Sequence, residues 1–518
     1  REQLRVAAAL AARVAAAPAP TLAPADVEAA LTRLYGDAVA TSAAEATRVA
    51  AQRALTVVVG GPGTGKTYGV TRTLALLLEL GGPALRIALA APTGKAAVRM
   101  KEAIAENLQR PATAGGLTAP DVVRAAIAEL SAQTLHRLLG VRPDGSVRHG
   151  GQAPLAFDVV VVDEVSMVDL TMMRMLLEAL APQTRLILLG DRDQLASVEA
   201  GTVLADFVTG NSALAGCVVG LTVSRRFANA PTIATIAAAL QGDGAGANAE
   251  AAALDVAVAA MCGEVEVAGE TDPMRVQWLD RDEAEGGHER LIERLAAPYR
   301  QALFLLIADD LQREGDAALR RLAEPARQVA LLLGLEQYRV LATHRAGHRG
   351  VEGLVVGLEK RARAWLQRAS AQLPSAGAHW LGRPVLITRN DAAVGLMNGD
   401  VGLVLPCGEQ LGLAAVFLDR GGVAPRPFAV PLSRLPSHEG AMAMTVHKSQ
   451  GSQFHEVGLV LADGDSPIQT RELIYTAITR ASSQLRWSGD RAVLRAALSR
   501  RVARASGLAR LLAAEQKS

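Results

Sequence analysis

The sequence predicts an α/β protein built on two parallel sheets, each covered by helices, and three observations lead there. Short apolar runs near 55–59, 86–90, 158–162, 185–189 and 217–221 alternate with helical stretches, the pattern of parallel strands joined by crossover helices. A second block of the same kind opens at Arg339-Val340-Leu341-Ala342 and resumes near Ala441, with strands about 441–446, 457–461 and 484–488. Between the first strand and the first crossover helix stands LTVVVGGPGTGKT, Leu55 to Thr67, a glycine-rich loop of phosphate-binding spacing.

Taken in order, residues 1–50 read as Ala-rich helices punctuated by Pro18, Pro20 and Pro24. They begin without Met and show no signal-peptide pattern, so they are expected to be the remnant of a larger N-terminal helical region. Residues 51–223 form the first α/β domain. Inside it, VRPDGSVRH (Val141–His149) carries the turn chemistry Pro143-Asp144-Gly145, which predicts a small projecting hairpin over about 141–156. QGDGAGAN (Gln241–Asn248) is a low-complexity connector, and the stretch from Ala249 to Tyr338 reads as mostly helical. The second domain takes 224–518. Within it the short strands Pro384–Ile387, Val401–Leu405, Leu411–Phe417 and Pro427–Val430 predict a small β-barrel-like insertion, centred on about 398–440.

Composition narrows the class. At 518 residues the chain can hold several cores, and its 50% hydrophobic content is largely alanine, with only 3% aromatics. No apolar run is long enough to span a membrane. Cys217, Cys262 and Cys407 are scattered and odd in number, which excludes a disulfide framework and points to a reducing, cytoplasmic setting. A net charge of +2 means that any nucleic acid would be held by a local groove. Only the end is basic, with nine Lys/Arg from Arg480 to Lys517 against Asp490 and Glu515, either a contact surface or a solvated helix face.

The loop motif carries chemistry. Gly60, Gly61, Gly63 and Gly65 let the backbone wrap phosphates so that N–H groups and a helix N-terminus face the charge. Gly61, Pro62, Gly63, Thr64, Gly65, Lys66 and Thr67 would hold the nucleotide, Lys66 reaching the β- and γ-phosphates and Thr67 holding Mg²⁺. FDVVVVDEVSM (Phe157–Met167) is a buried strand ending in two carboxylates. Asp163 would hold the metal and Glu164 would polarise the attacking water. LILLGDRDQL (Leu186–Leu195) ends a second strand with Gln194, an amide suited to touching a γ-phosphate. TVSRRF and YTAITRA supply Arg226 and Arg480, guanidinium donors for charge accumulating on a transferred phosphoryl group. MTVHKSQGSQF (Met444–Phe454) offers His447, Lys448, Gln450 and Gly451 to phosphate, ribose or nucleic-acid backbone. In APTGKAA (Ala91–Ala97), Thr93 and Lys95 suit contacts with nucleic-acid phosphates, and Thr134-Leu135-His136 can do likewise.

The order of these elements resembles that of superfamily 1 helicases. GGPGTGKT, VVVDEVSMVDL, RNDAAVGLMNGDVG and TVHKSQGS together are similar to the RecD family, the motor subunits of bacterial RecBCD helicase–nucleases, over roughly Ala51 to Trp487. The resemblance implies two RecA-like motor domains that clamp ATP, a small β-hairpin, an SH3-like insertion and a 5′→3′ translocase on single-stranded DNA. It also implies duplex ends as substrate, with RecB-like and RecC-like subunits as partners in an exodeoxyribonuclease V-type complex. Lys66, Asp163, Glu164, Gln194, Arg226 and Arg480 are then the catalytic set, the two arginines acting from across the cleft. Thr93, Lys95, His136, Asn398, Thr445 and His447 would face DNA. Gln453 departs from the family, which usually has Glu there. The residues leave two other readings open: a stand-alone or relaxase-type helicase of the same branch, and a non-motor scaffold that binds a nucleotide.

Overall fold

The valine-rich runs become strands because their alternate residues feed two different cores. A computed structural model describes the chain apart from residues 112, 114, 197–202, 209–213, 225, 242–246, 266, 269, 271, 273–274, 281–286, 314–315, 421–423, 503–506 and 515–518. Most of the connector Gln241–Asn248, with Arg504, Glu515 and Lys517 of the basic end, lies outside the described residues. The chain divides into two units, Arg1–Arg226 with Ala503–Ser518, and Phe227–Val502.

In the first unit, β1 (Leu55–Gly60), β2 (Ile87–Ala91), β3 (Ala132–Thr134), β4 (Val159–Val162), β5 (Arg185–Gly190) and β6 (Val218–Leu221) form one sheet in the order β3-β2-β4-β5-β1-β6. Every pairing is parallel, with Val57 opposite Leu188 and Val218, and Val161 opposite Ile187 and Leu89. Val57, Val160, Val162 and Leu188 pack into one core with Leu10, Leu139, Met173 and Leu176. Val58, Val159, Val161 and Ile187 pack into the other with Leu31, Leu74, Met100 and Ile104. A strand buried on both faces needs a continuous apolar run, which is why VVVV and LILL carry no alternation.

Residues 1–50, which the sequence sets apart, are stitched onto this sheet. Arg13 donates to Thr184 O at 2.5 Å and to Ala181 O at 3.1 Å, and burial pulls its guanidinium down to about 10. Arg185 reaches back to Ala19 O (2.9 Å), Pro20 O (2.6 Å) and Ala51 O (3.0 Å). The last helix, Leu508–Ala514, buries Leu508 and Leu512 in the same core as the first helix, so the end of the chain belongs to this unit. The expected hairpin at 141–149 is a tight turn without a ladder. Arg142 N–H bonds Ser146 O at 2.8 Å and the Asp144 carboxylate accepts from Ser146, while the flanks form no named strand. Arg148 N–H and His149 N–H bond Leu139 O at 3.1 Å each and close the base of the segment, while the β-pairing is confined to a one-residue bridge at Gly150 and Ala153.

In the second unit the strands are β7 (Val276–Trp278), β8 (Tyr338–Ala342), β9 (Ser375–Ala376), β10 (His379–Trp380), β11 (Pro384–Ile387), β12 (Val401–Cys407), β13 (Gly412–Asp419), β14 (Arg426–Pro431), β15 (His438–Gly440), β16 (Ala443–Thr445), β17 (Phe454–Val460) and β18 (Ala481–Ser488). A parallel sheet runs β16-β8-β17-β18-β7. Its edge strand β7 lies in the stretch that reads as helical. Trp278 stacks on the buried Trp487 at 5.1 Å, and each indole N–H finds a carbonyl. The insertion is a five-stranded antiparallel sheet, β14-β13-β12-β11-β15, and it begins earlier than 398 because Leu386 of β11 pairs with both Val401 and Glu439. Val404 and Phe417 point to its own small core, whereas Leu403, Leu405 and Val416 join the large core with Leu331 and Leu332.

Candidate functional site

All the chemistry of the first unit gathers at one edge. Because the strands are parallel, β1, β2, β3, β4, β5 and β6 all end on the same side, and each motif begins where its strand stops. β1 runs into the glycine-rich loop. Gly63 (φ +77°) and Gly65 (φ +87°) take left-handed backbone that a side chain would resist, and Lys66 then opens the helix Lys66–Gly81. Gly60 has a separate reason to lack a side chain: a Cβ there would stand 2.6 Å from Thr64 Oγ1 and 2.9 Å from Leu221 Cβ. The Lys66 ammonium lies inside the loop, donating to Gly60 O at 2.6 Å and Gly61 O at 3.1 Å, and Thr64 Oγ1 ties the turn to Gly61 O at 2.8 Å. Thr67 follows in the first helical turn, beside the unpaired amides that make a helix N-terminus attract anions.

At the end of β4, Asp163 N–H bonds Ala90 O, and its carboxylate accepts from Glu164 N–H at 2.8 Å. Glu164 sits at φ +53°, ψ +42°, an uncommon backbone for a non-glycine residue. The Asp163 carboxyl is pushed up to about 6, first by desolvation and then by the Glu164 charge, with the Lys66 ammonium pulling the other way. That pull brings Lys66 and Asp163 into one electrostatic site. β5 ends close by: a Cβ on Gly190 would meet Ser166 N at 3.3 Å and Val165 N at 3.5 Å, so strand and acid turn pack without a spacer. Asp191 and Gln194, 1% and 5% exposed, are joined by Gln194 Nε2 donating to Asp191 Oδ2 at 3.0 Å.

Arg226 belongs to this same unit. The expectation that it reaches the loop from the opposite side is corrected: a Cβ on Gly63 would stand 2.1 Å from Arg226 Cβ and 2.8 Å from its amide. The chain leaving β6 doubles back onto the phosphate loop, which places it there. At the ends of β2 and β3, Thr93 and Thr134 are helix caps, accepting from Ala96 N–H and Arg137 N–H at 3.2 Å each. Lys95 is half-buried and His136 exposed.

In the second unit, Arg480 is 4% exposed and donates to Thr476 O at 3.2 Å and Ser452 O at 3.1 Å. It thereby joins the end of the helix Arg471–Ile478 to the loop after β16, where Gln450 and left-handed Gly451 (φ +68°) are buried. Thr445 Oγ1 accepts from Lys448 N–H at 3.3 Å, and the half-buried His447 lies between them. Asn398 is exposed on a loop of the insertion, its amide bonded to Asn390 Oδ1 at 2.7 Å. The sequence reading missed one further group at this edge. Thr343 and His344, following β8, join Gln469 and Ser466 after β17: Thr343 Oγ1 to His344 Nδ1 2.9 Å, Thr343 Oγ1 to Gln469 Oε1 3.2 Å, and His344 Nε2 to Ser466 Oγ 2.9 Å. Burial lowers the His344 pKa. The signal was a Thr-His pair directly after an apolar strand.

A magnesium ion fits the first site on its chemistry. Thr67 and Asp163 offer hard oxygen donors, and a carboxylate raised by desolvation is one that a cation would relieve. Among the described residues no group of three His, Cys, Asp or Glu could hold a metal ion. Nor is any described helix long and apolar enough to cross a membrane.

A left-handed glycine loop after β1, a lysine within it and an acid pair at the same-side end of β4 define a P-loop nucleoside triphosphatase. Residues 43–200 match the AAA domain family and 440–486 the UvrD-like helicase C-terminal domain. The chain is 41% identical over 490 residues to the RecBCD enzyme subunit RecD of Mycolicibacterium smegmatis, covering 93% of this chain and 76% of that protein. To the RecD subunit of Mycobacterium tuberculosis it is 41% identical over 469 residues, 89% of this chain and 71% of that one. To the ATP-dependent RecD2 DNA helicase of Deinococcus radiodurans it is 30% identical over 438 residues, 84% of this chain but 47% of that protein. The chain belongs to the RecD family.

Proposed function

We propose that this chain is the ATP-dependent 5′→3′ DNA helicase subunit of a RecBCD-type complex, an exodeoxyribonuclease V that processes double-strand breaks for recombinational repair. The observation that carries the reading is the shared electrostatic site of Lys66 and Asp163 at the loop edge, in a chain so similar to RecD subunits over nearly its whole length. Lys66 leaves the carbonyls of Gly60 and Gly61 for the β- and γ-phosphates, while loop amides and the helix N-terminus hold the rest of the triphosphate. Thr67 and Asp163 hold Mg²⁺, which when bound neutralises phosphate charge. Glu164, held in left-handed backbone directly after Asp163, orients the attacking water. Gln194 senses the γ-phosphate, and Arg226 and Arg480 stabilise charge developing on it.

Single-stranded DNA is the substrate of the motor, met by Thr93, Lys95 and His136 on the first unit and by Asn398, Thr445 and His447 on the second. RecB-like and RecC-like subunits are the proposed partners, the nuclease residing in one of them, and the cytoplasm is the proposed compartment. With few aromatics for stacking, the grip is on the backbone, so affinity falls steeply with salt.

The test is steady-state ATP hydrolysis with and without single-stranded DNA, for the native chain and Lys66→Gln, alone and with RecB- and RecC-like subunits. DNA stimulation that is lost in the variant and increased by the partners is expected. Full activity without partners would favour a stand-alone helicase, and no DNA-stimulated turnover under any condition would leave a nucleotide-binding scaffold.

A further inference from the structure

The segment TVSRRF is notable in sequence for its arginines, yet its serine makes the more specific contact. Ser224 Oγ donates to Pro62 O at 2.8 Å, bonding the phosphate loop at its turn. Two residues on, the Arg226 backbone lies against Gly63, leaving no room for a side chain there, and three residues before Ser224, Leu221 does the same to Gly60. The chain leaving β6 therefore touches the loop at Gly60, Pro62 and Gly63 in succession. The middle contact is a hydrogen bond from a side chain. Ser224 is otherwise exposed, so it fills no core, and Arg226 ends the first of the two stretches of chain that make up the first unit.

We propose that Ser224 is a positioning residue for ATP turnover: its hydrogen bond to Pro62, beside the Arg226 backbone on Gly63, sets where the Arg226 guanidinium stands. A proline residue offers the backbone only a carbonyl, so a donor must come from elsewhere, and a hydroxyl is the shortest side chain that can supply it. Without that bond the segment keeps its steric contacts but loses a directional one, and the long arginine side chain amplifies any rotation of its backbone. On the reading above the triphosphate is held by loop amides and the helix N-terminus and not by the Pro62 carbonyl, so the effect should fall on turnover and not on binding.

The inference rests on the nucleotide-site reading above, and a double-mutant cycle separates the two. In the full chain with single-stranded DNA, Ser224→Ala is expected to lower kcat about tenfold through misplacement, with KM for ATP within about twofold. Arg226→Ala should lower kcat by about 10³-fold, and the double variant should be no slower than Arg226→Ala alone, because the two act as a unit. Ser224→Thr, which keeps the donor, should restore turnover and so separates loss of the bond from loss of fold. Independent, additive losses in the double variant, or a defect confined to KM, would overturn the assignment. A native chain that hydrolyses ATP with Ser224→Ala unaffected would overturn this inference alone, whereas a native chain without ATP hydrolysis would overturn both readings.

Discussion

The two parallel sheets end in edges of opposite character. At the edge of the six-stranded sheet glycines at +77° and +87° shape the loop, and two reactive groups are held in costly states, a glutamate in left-handed backbone and an aspartate pushed up to about 6 beside it. At the edge of the five-stranded sheet the comparable groups are tied into the fold. Arg480 bonds two backbone carbonyls, and Thr343, His344, Gln469 and Ser466 form a chain of hydrogen bonds. The architecture is shared, but the phosphate site is a property of the loop after β1. A parallel sheet offers the edge, and the local backbone decides what the edge can bind.

This contrast can be broken first at Lys66. Lys66→Ala should reduce DNA-stimulated hydrolysis by at least about 10³-fold, roughly 4 kcal/mol at the transition state, while the melting temperature hardly moves. Phosphate release and a thermal melt on one preparation check both halves. Arg480→Ala should behave differently, with a similar kinetic loss accompanied by about 1–3 kcal/mol of instability, because the buried Ser452 O and Thr476 O lose the Arg480 donor, Thr476 O keeping Thr479 Oγ1. Finding an Arg480 variant with undiminished denaturant stability would mean that the second edge is as unencumbered as the first.

Asp163 sharpens the comparison through pH. Its folded carboxyl titrates near 6, above the unfolded value, so the folded form loses stability as pH rises toward 6 and carries the full penalty above it. In metal-free protein held in EDTA, Asp163→Asn should therefore stabilise the fold at pH 8 by on the order of 1–2 kcal/mol, the gap closing below about pH 4. Melts across that range would refute the assignment if the variant were less stable at pH 8. The smallest effect is expected at Thr93. Thr93→Ala should cost about 1 kcal/mol by uncapping the helix Gly94–Gln109, and Thr93→Ser should not. DNA affinity measured on both variants at two salt concentrations shows whether the hydroxyl also serves DNA; equal affinities would leave it a cap alone.

The strands of the first sheet were legible because VVVV and LILL are too apolar, and too sharply bounded, to be anything but buried strands. β3 and β7 were not. Each is a three-residue edge strand, and β7 owes its place to Trp278 stacking on Trp487, more than 200 residues away in sequence. The turn chemistry at Pro143-Asp144-Gly145 was legible too, yet turn residues specify a reversal and not a ladder: the flanks bond at the turn and at their base, from Arg148 and His149 to Leu139, without the regular alternation of a strand pair. Residues 1–50 read as separate because nothing in an Ala-rich helix shows that Arg13 will find Thr184 O and Ala181 O.

Of the candidate site, local spacing alone determined the loop, the acid pair and Gln194, since each lies within a few residues of the strand end that presents it. The phosphate loop is a short-range object: glycine freedom, one lysine and a helix start specify it wherever a strand precedes them. Tertiary structure decided the rest. It alone set Arg226 on the backbone of Gly63, made Arg480 a buried donor to Ser452 and Thr476, and put the Ser224 hydroxyl on Pro62, because these contacts join segments whose sequence separation carries no pattern.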